Sequence, residues 1–520
     1  MRQFLGGLAL WTAISAAPTL ASEVTPDSIP PSPVHSETEA AATVEDKIAW
    51  LAAGIDALVE TGQPVGAEVL IVQNGEIIFH NSFGWSDRDA GRRMENGSIF
   101  SVASMTKPII GTAILMLADD RLLSLGDPVA RFLPSFGNPR SRDVTIEHLL
   151  THRSGFGYWG PLKNFQEVRA QPNLRTIVDM AGEAGPSNPI GDRFAYSNMS
   201  SMILTAIIEE ISGQPAEMFL RQRIFAPLGM NDTHTTFSPS DPWAGRVTPI
   251  YCWDNAAERF EACWTPDTHA RVPFFRGSGG VRSTTSDYLH FVMLWMNKGL
   301  KGGQRLLSEA IVEQALKAQA GRPYGYHWGL ADADSNAAFP ATFGHPGADG
   351  TLVAAYPAAN AAVLIFTQSA QYAPTFPPER ILELVAQSRL IAHAGPYRTS
   401  GIRPAGIDDL QKSASDLTAL VGEYRSEGRD EERTGLTITI AGNRLHATLT
   451  DEYGKIDETL VRVAEGVFSP GWFVGEHVTE YNPLISYHFS KAEDRVTEVR
   501  FVVADEPEVV LKPVIAANHP

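Results

Sequence analysis

The sequence predicts an α+β protein: an antiparallel sheet flanked by helices, with an inserted helical subdomain, followed by a small all-β domain. Three observations carry this prediction. Strand-like runs occur near residues 67–79 and return near residues 341–367, with helical patterns between them and a long helix after them. Past residue 413 the chain alternates short apolar strands with turns. The 520 residues, 43% hydrophobic and 20% charged, suffice for two or more domains with a large core.

In chain order, Arg2, the apolar residues 4–17 and the small residues around Ala21 read as a secretory signal over residues 1–21. Its apolar run is shorter than the roughly 20 residues a spanning helix needs, so no membrane span is expected once it is removed. Residues 22–43, rich in Pro, Ser, Thr and Glu, read as a disordered leader. A first domain is expected over 44–395, beginning with a helix through Ile48, Leu51, Ile55 and Leu58. Val69–Val72 and Ile77–Phe79 flank Asn74-Gly75, which predicts a tight hairpin. Helices are expected over 104–117, 145–152, 200–211, 283–298 and 378–390, and strands over 341–343, 351–356 and 361–367. Residues 396–413 read as a linker and 414–520 as a small barrel or sandwich.

The formal net charge of -18 leaves no basic footprint for nucleic acid. The two cysteines, Cys252 and Cys263, are expected to pair across a hairpin in an oxidising compartment. His148 and His152 stand four apart, but the metalloprotease pattern places its glutamate between the histidines, and Glu147 lies outside them. The pair reads as a capped helix end. Residues 332–336 lack the glycine and distal glutamate of a calcium loop and read as a turn. The aromatic cluster 324–328 reads as core or pocket wall, with Tyr326 as its site-lining residue.

The chemistry centres on Ser104-x-x-Lys107. A serine and a lysine three apart on a helix share one face. A lysine kept neutral by burial can take the hydroxyl proton and activate the nucleophile without a histidine. Such a site also needs a proton shuttle, an amide that orients substrate, and an oxyanion hole. Tyr196 and Asn198 of Tyr196-x-Asn198 supply the first two residue types. His345-x-Gly347, in a glycine-rich run before a strand, supplies a polar residue and an edge along which a substrate backbone can lie.

The ordered set Ser104-x-x-Lys107, Tyr196-x-Asn198, His345-x-Gly347 resembles the three motifs of serine β-lactamases and penicillin-binding proteins. It is most similar to their class C-like branch, with D-aminopeptidases, D-Ala-D-Ala carboxypeptidases and related esterases. The stretches 149–155, 227–230 and 279–284 extend the resemblance over residues 46–395, and the tail resembles a lipocalin-like β domain. The resemblance implies a β-lactamase-like fold and an acyl-enzyme on Ser104, with Lys107 and Tyr196 sharing the proton work. It assigns Asn198, His345 and Gly347 to substrate, and the backbone N–H groups of Ser104 and Ala348 to the oxyanion hole. It implies no metal and no cofactor. One position departs: Pro346 stands where carboxypeptidases and β-lactamases carry Thr or Ser, and proline has no hydroxyl for a substrate carboxylate.

The expected function is therefore a secreted or periplasmic serine hydrolase acting on peptide or amide bonds, including peptides with D- or unusual residues or linearised cyclic peptides. The alternatives are a carboxylesterase on short-chain esters and a sensor that acylates without turnover. The partner is a small-molecule or peptide substrate.

Overall fold

The computed structural model describes residues 42–391, 411 and 417–514, apart from 193, 255–256, 258, 269–270, 320–323, 332–339, 371–375, 427–433, 442–443, 452–453, 475–476, 482–484, 493–494 and 504–508. The secretory signal, nearly all of the leader, most of the linker and the 332–336 turn lie outside the described residues. The chain divides into two compact units, one over residues 19–399 and one holding residues 400–520.

The larger unit opens with α1 (Val44–Glu60), started by a Thr43–Asp46 capping box. β1 (Gly66–Gln73) and β2 (Glu76–Asp87) then form a hairpin. Its turn residues Asn74 and Gly75 sit at φ 53° and 81°, the left-handed pair that Asn-Gly favours. β3 (Arg92–Arg93) and β4 (Phe100–Ser101) lead to α2 (Thr106–Asp119), which is buried on every side from Thr106 to Leu117. The helical insertion follows: α3 (Ile146–Leu150), α4 (Phe165–Arg169), α5 (Leu174–Ala184), α6 (Asn198–Ser212), α7 (Ala216–Leu220) and α8 (Ala226–Leu228). β5 (Ile250–Asp254) and β6 (Arg259–Trp264) form a hairpin closed by the Cys252–Cys263 disulfide, as expected from the sequence. β7 (Arg282–Ser283) pairs with β4 and is followed by α9 (Thr285–Met296), the short pair β8 (Leu300–Lys301) and β9 (Gln304–Arg305), and α10 (Glu309–Ala315). The chain then supplies β10 (Gly329–Ala331), β11 (Thr342–Gly347), β12 (Thr351–Tyr356), β13 (Ala361–Thr367) and α11 (Pro377–Ser388).

The main sheet has seven strands in the order β10-β11-β12-β13-β1-β2-β3. Neighbours are antiparallel throughout. The first strand of the chain thus pairs with the last of the unit, and the helical insertion lies between them in sequence. Period-two burial gives the sheet two covered faces. Val69, Ile71, Val363 and Ile365 pack with Leu51 and Ile55 of α1 and Ile381 and Val385 of α11. Leu70, Val72, Leu364 and Phe366 face the other way, into the larger core with α2, α6 and α9.

The second unit contains β14 (Gly422–Ser426), β15 (Gly435–Ala441), β16 (Arg444–Asp451), β17 (Gly454–Ala464), β18 (Val467–Val474), β19 (His477–Tyr481), β20 (Ile485–Ala492), β21 (Arg495–Val503) and β22 (Val509–Pro513). Their order is β17-β16-β15-β14-β22-β21-β20-β18-β19, and a β17–β18 pairing joins the ends into a closed eight-stranded barrel with β19 appended. Leu436, Ile438, Leu449, Phe468, Val499 and Phe501 fill its core. Closure removes the edges that an open sheet exposes.

Candidate active site

Ser104 lies in a 3-10 turn, Ala103–Met105, immediately before α2. The sequence predicts helix from residue 104; the structure begins α2 at Thr106 because Ala103 sits at φ 42°. A non-glycine residue there costs on the order of 1–3 kcal/mol, and surrounding bonds hold it. Val102 N–H donates to Val281 O at 3.1 Å, Val281 N–H donates to Thr106 Oγ1 at 3.1 Å, and Tyr288 Oη donates to Met105 O at 2.7 Å. Ser104 keeps partial exposure at the end of a wholly buried helix.

Lys107 has no exposed surface. Its Nζ lies 2.7 Å from Asn198 Oδ1, 3.0 Å from Ser278 O and 3.1 Å from Ser104 Oγ. Desolvation, and secondarily the Arg276 cation, holds its pKa well below the usual lysine range. As a neutral amine, Lys107 donates its two N–H bonds to the two carbonyl oxygens. Its lone pair is then left for the Ser104 hydroxyl.

Tyr196 and Asn198 come from the start of α6. Ser197 caps that helix, its Oγ accepting from Ser200 N–H at 3.2 Å and donating to Gly157 O at 3.0 Å. Ser197 N–H donates to His152 Nδ1 at 3.1 Å, and Asn198 N–H donates to Tyr158 O at 2.9 Å. Asn198 is thus the first helical residue, although the sequence suggests a start at Ser200. The Tyr196 ring centroid lies 4.6 Å from Lys107 Nζ.

His345 and Gly347 lie on β11. β10 pairs with β11 only as far as Gly344, so the next three residues run beyond it along the sheet edge. A Cβ on Gly347 would collide with Val102 O and Thr351 Oγ1, so glycine alone lets β11 approach the turn that holds Ser104. Ala348 follows β11 directly, and Asp349 ties the turn down by accepting from Ser101 Oγ at 2.6 Å and pairing with Arg271 at 3.1 Å. The His345 ring centroid is 6.2 Å from that of Tyr196, and its Nε2 is 3.4 Å from Tyr324 Oη. Burial, with Lys107 adding to it, pushes the His345 pKa down to about 3. His345 is therefore neutral at pH 7, a dipole rather than a cation.

Several residues around the site carry no motif of their own. Tyr158 hydrogen-bonds Asn198, and burial raises its pKa. Ser278 holds Lys107 through a carbonyl, which any residue type would offer. Tyr324, not the expected Tyr326, faces the motif histidine; Tyr326 Oη donates to Glu147 at 2.7 Å and accepts from Gln314. His148 Nδ1 accepts from Thr145 N–H in the capping box at the start of α3, whereas His152 Nδ1 accepts from Ser197 N–H and so ties its turn to the start of α6 rather than capping its own helix. The glycine run 277–280 was the available signal for the Ser278 segment.

A β-lactamase family model matches residues 51–388. Among curated relatives, esterase EstB of Burkholderia gladioli is 29% identical over 345 residues, covering 58% of this chain and 84% of the esterase. The octameric penicillin-binding protein homologue of Pyrococcus abyssi aligns with TM-score 0.56 at 19% identity, covering 89% of this chain and all (100%) of that one. The D-amino acid amidase of Ochrobactrum anthropi SV3 aligns with TM-score 0.53 at 22% identity, covering 67% and 100%. With the matched segment spanning the sheet, the helical insertion and all three motifs, the chain belongs to the β-lactamase family of serine hydrolases.

Proposed function

We propose that the chain is an exported serine hydrolase that cleaves peptide or amide bonds through an acyl-enzyme on Ser104. The observation that carries this reading is the Lys107 environment: a fully buried amine with two carbonyl acceptors and the Ser104 hydroxyl at 3.1 Å. The Ser104 proton passes to Lys107 Nζ as Oγ adds to the substrate carbonyl. The developing oxyanion is received by the backbone N–H groups of Ser104 and Ala348. Tyr196 delivers a proton to the departing amine, leaving the acyl-enzyme. Water then attacks the acyl group, loses its proton to the same base system, and Ser104 is released. Among the described residues, β10 pairs with β11 no further than Gly344, and this supports the peptide reading, since an extended backbone can pair beside His345 and Gly347. Residues 1–21 support export.

The similarity to EstB favours a second reading, a carboxylesterase on short-chain esters. Matched ester and peptide substrates separate the two by their kcat/KM values. Ser104→Ala is expected to abolish turnover of both and to remove labelling by a serine-directed probe. Full activity in Ser104→Ala would refute the mechanism.

A further inference from the structure

Between Ser101, Gly279 and Asp349 lies a concavity of about 630 Å³ that the mechanism does not use. Its walls carry four guanidinium groups, Arg169, Arg271, Arg276 and Arg282, against two carboxylates, Glu217 and Asp349. This excess of positive charge stands in a chain of formal net charge -18. Asp349 is already engaged with Ser101 and Arg271.

The two inner arginines are set up differently from surface cations. Arg282 is 8% exposed, with its Cζ 4.9 Å from the Phe237 ring and 5.1 Å from the Trp264 ring. Arg276 lies over Trp159 and Phe165 and donates to Ser278 Oγ at 3.0 Å and to Gly279 O at 3.3 Å. Among the described residues, neither forms an ion pair within 4.0 Å, and both Nε atoms are buried without a hydrogen-bond partner. Desolvation lowers the pKa of each to about 10, so both remain cations at pH 7. Arg282 is a buried and Arg276 a half-buried guanidinium; such a cation without a counter-ion is costly, and an oxyanion offsets that cost with charge-assisted hydrogen bonds.

We propose that this cavity is an anion subsite that selects substrates carrying a carboxylate or phosphate group. The proposal rests on the hydrolase reading and adds the substrate's charge to it. The position fits: Ser101 precedes Ser104 by three residues, Asp349 follows Ala348, and Ser278, two residues past Arg276, holds Lys107. The subsite also accounts for Pro346. The negative group recognised through a hydroxyl on the strand in other branches is here received by arginines across the nucleophile turn.

The test compares two activated esters of equal acyl length on the full chain, one neutral and one ending in a carboxylate. The expected kcat/KM ratio favours the anionic ester by about tenfold or more. Arg282→Met, and independently the exposed Arg169→Ala, bring that ratio towards one; Arg169 guards against a folding defect in the buried variant. Calorimetry of Ser104→Ala with succinate and with inorganic phosphate is expected to show binding that weakens as salt rises, and the tighter of the two names the group. A ratio at or below one, together with no heat from either anion, overturns the subsite. Because binding is read in Ser104→Ala, the subsite can stand if the serine mechanism fails, and the mechanism can stand if the subsite fails.

Discussion

Lys107 shows how one side chain ties chemistry to stability. Only its neutral form has a lone pair for Ser104, so kcat/KM is expected to rise with pH through the depressed Lys107 pKa. Lys107→Arg stays charged at every accessible pH, and its kcat is expected to fall by about 1,000-fold or more, read with a saturating ester. The buried histidines have a parallel effect on folding. His152, His327 and His345 are all held below their ordinary value of 6.5 by burial, His345 to about 3. The unfolded chain therefore binds protons that the folded chain refuses, so stability is lost as pH falls from about 6.5 towards 3. Denaturant titrations across that window should show the loss, and His345→Gln should reduce the proton uptake on unfolding by about one. Ser104 and Lys107 were legible as candidates because their three-residue spacing stands in an ordered set with Tyr196-x-Asn198 and His345-x-Gly347. Arg276 and Tyr158 were not, because each acts on a residue far along the chain.

At the scale of elements, two devices bring the motifs together. The first is the start of α6, where Ser197 links the helix to the 152–158 segment through both its hydroxyl and its N–H. Ser197→Ala is expected to cost about 1–2 kcal/mol in chemical denaturation, and to lower kcat because Asn198 follows it directly. The second is β11. Gly347→Ala places a methyl group against Val102 O and Thr351 Oγ1, so the strand must move away from the nucleophile turn. The expected result is a kcat/KM loss larger than any loss in Tm, and a variant of normal activity would show that this approach is unimportant. Helices and strands were legible from period and turn residues. The 3-10 turn at Ala103–Met105 was not, because residues around Val281 and Tyr288 impose it on a helix-forming sequence.

For the whole molecule, the buried histidines of the larger unit and the buried Glu458 of the barrel are expected to shift stability with pH in opposite directions. In the barrel, Glu458 accepts from Tyr487 Oη at 2.8 Å, and burial raises its pKa from 4.5 to about 7. A raised carboxyl favours folding at low pH and loses that contribution as pH rises through about 7. The histidine-bearing unit weakens in the other direction. Hydrogen exchange resolved by peptide is expected to show the barrel opening more readily at pH 8 than at pH 5, with residues around His152 and His345 showing the reverse. Glu458→Gln should flatten the barrel's response alone. The Cys252–Cys263 bridge acts locally, and its removal by serine at both positions is expected to cost up to about 3 kcal/mol by the loop-entropy argument.

The sequence by itself determined the main elements, the division into a mixed unit and a β tail, and the candidate nucleophile and base. The first two are written in hydrophobic period and turn dipeptides, and the third in the ordered set of three motifs. Tertiary structure alone decided that Lys107 is dry enough to be a base, that His345 is neutral, and that Arg169 joins the three arginines of the 271–282 stretch in one cavity. Desolvation and electrostatic pairing depend on which distant segments exclude water from a side chain, and only the packed fold fixes that.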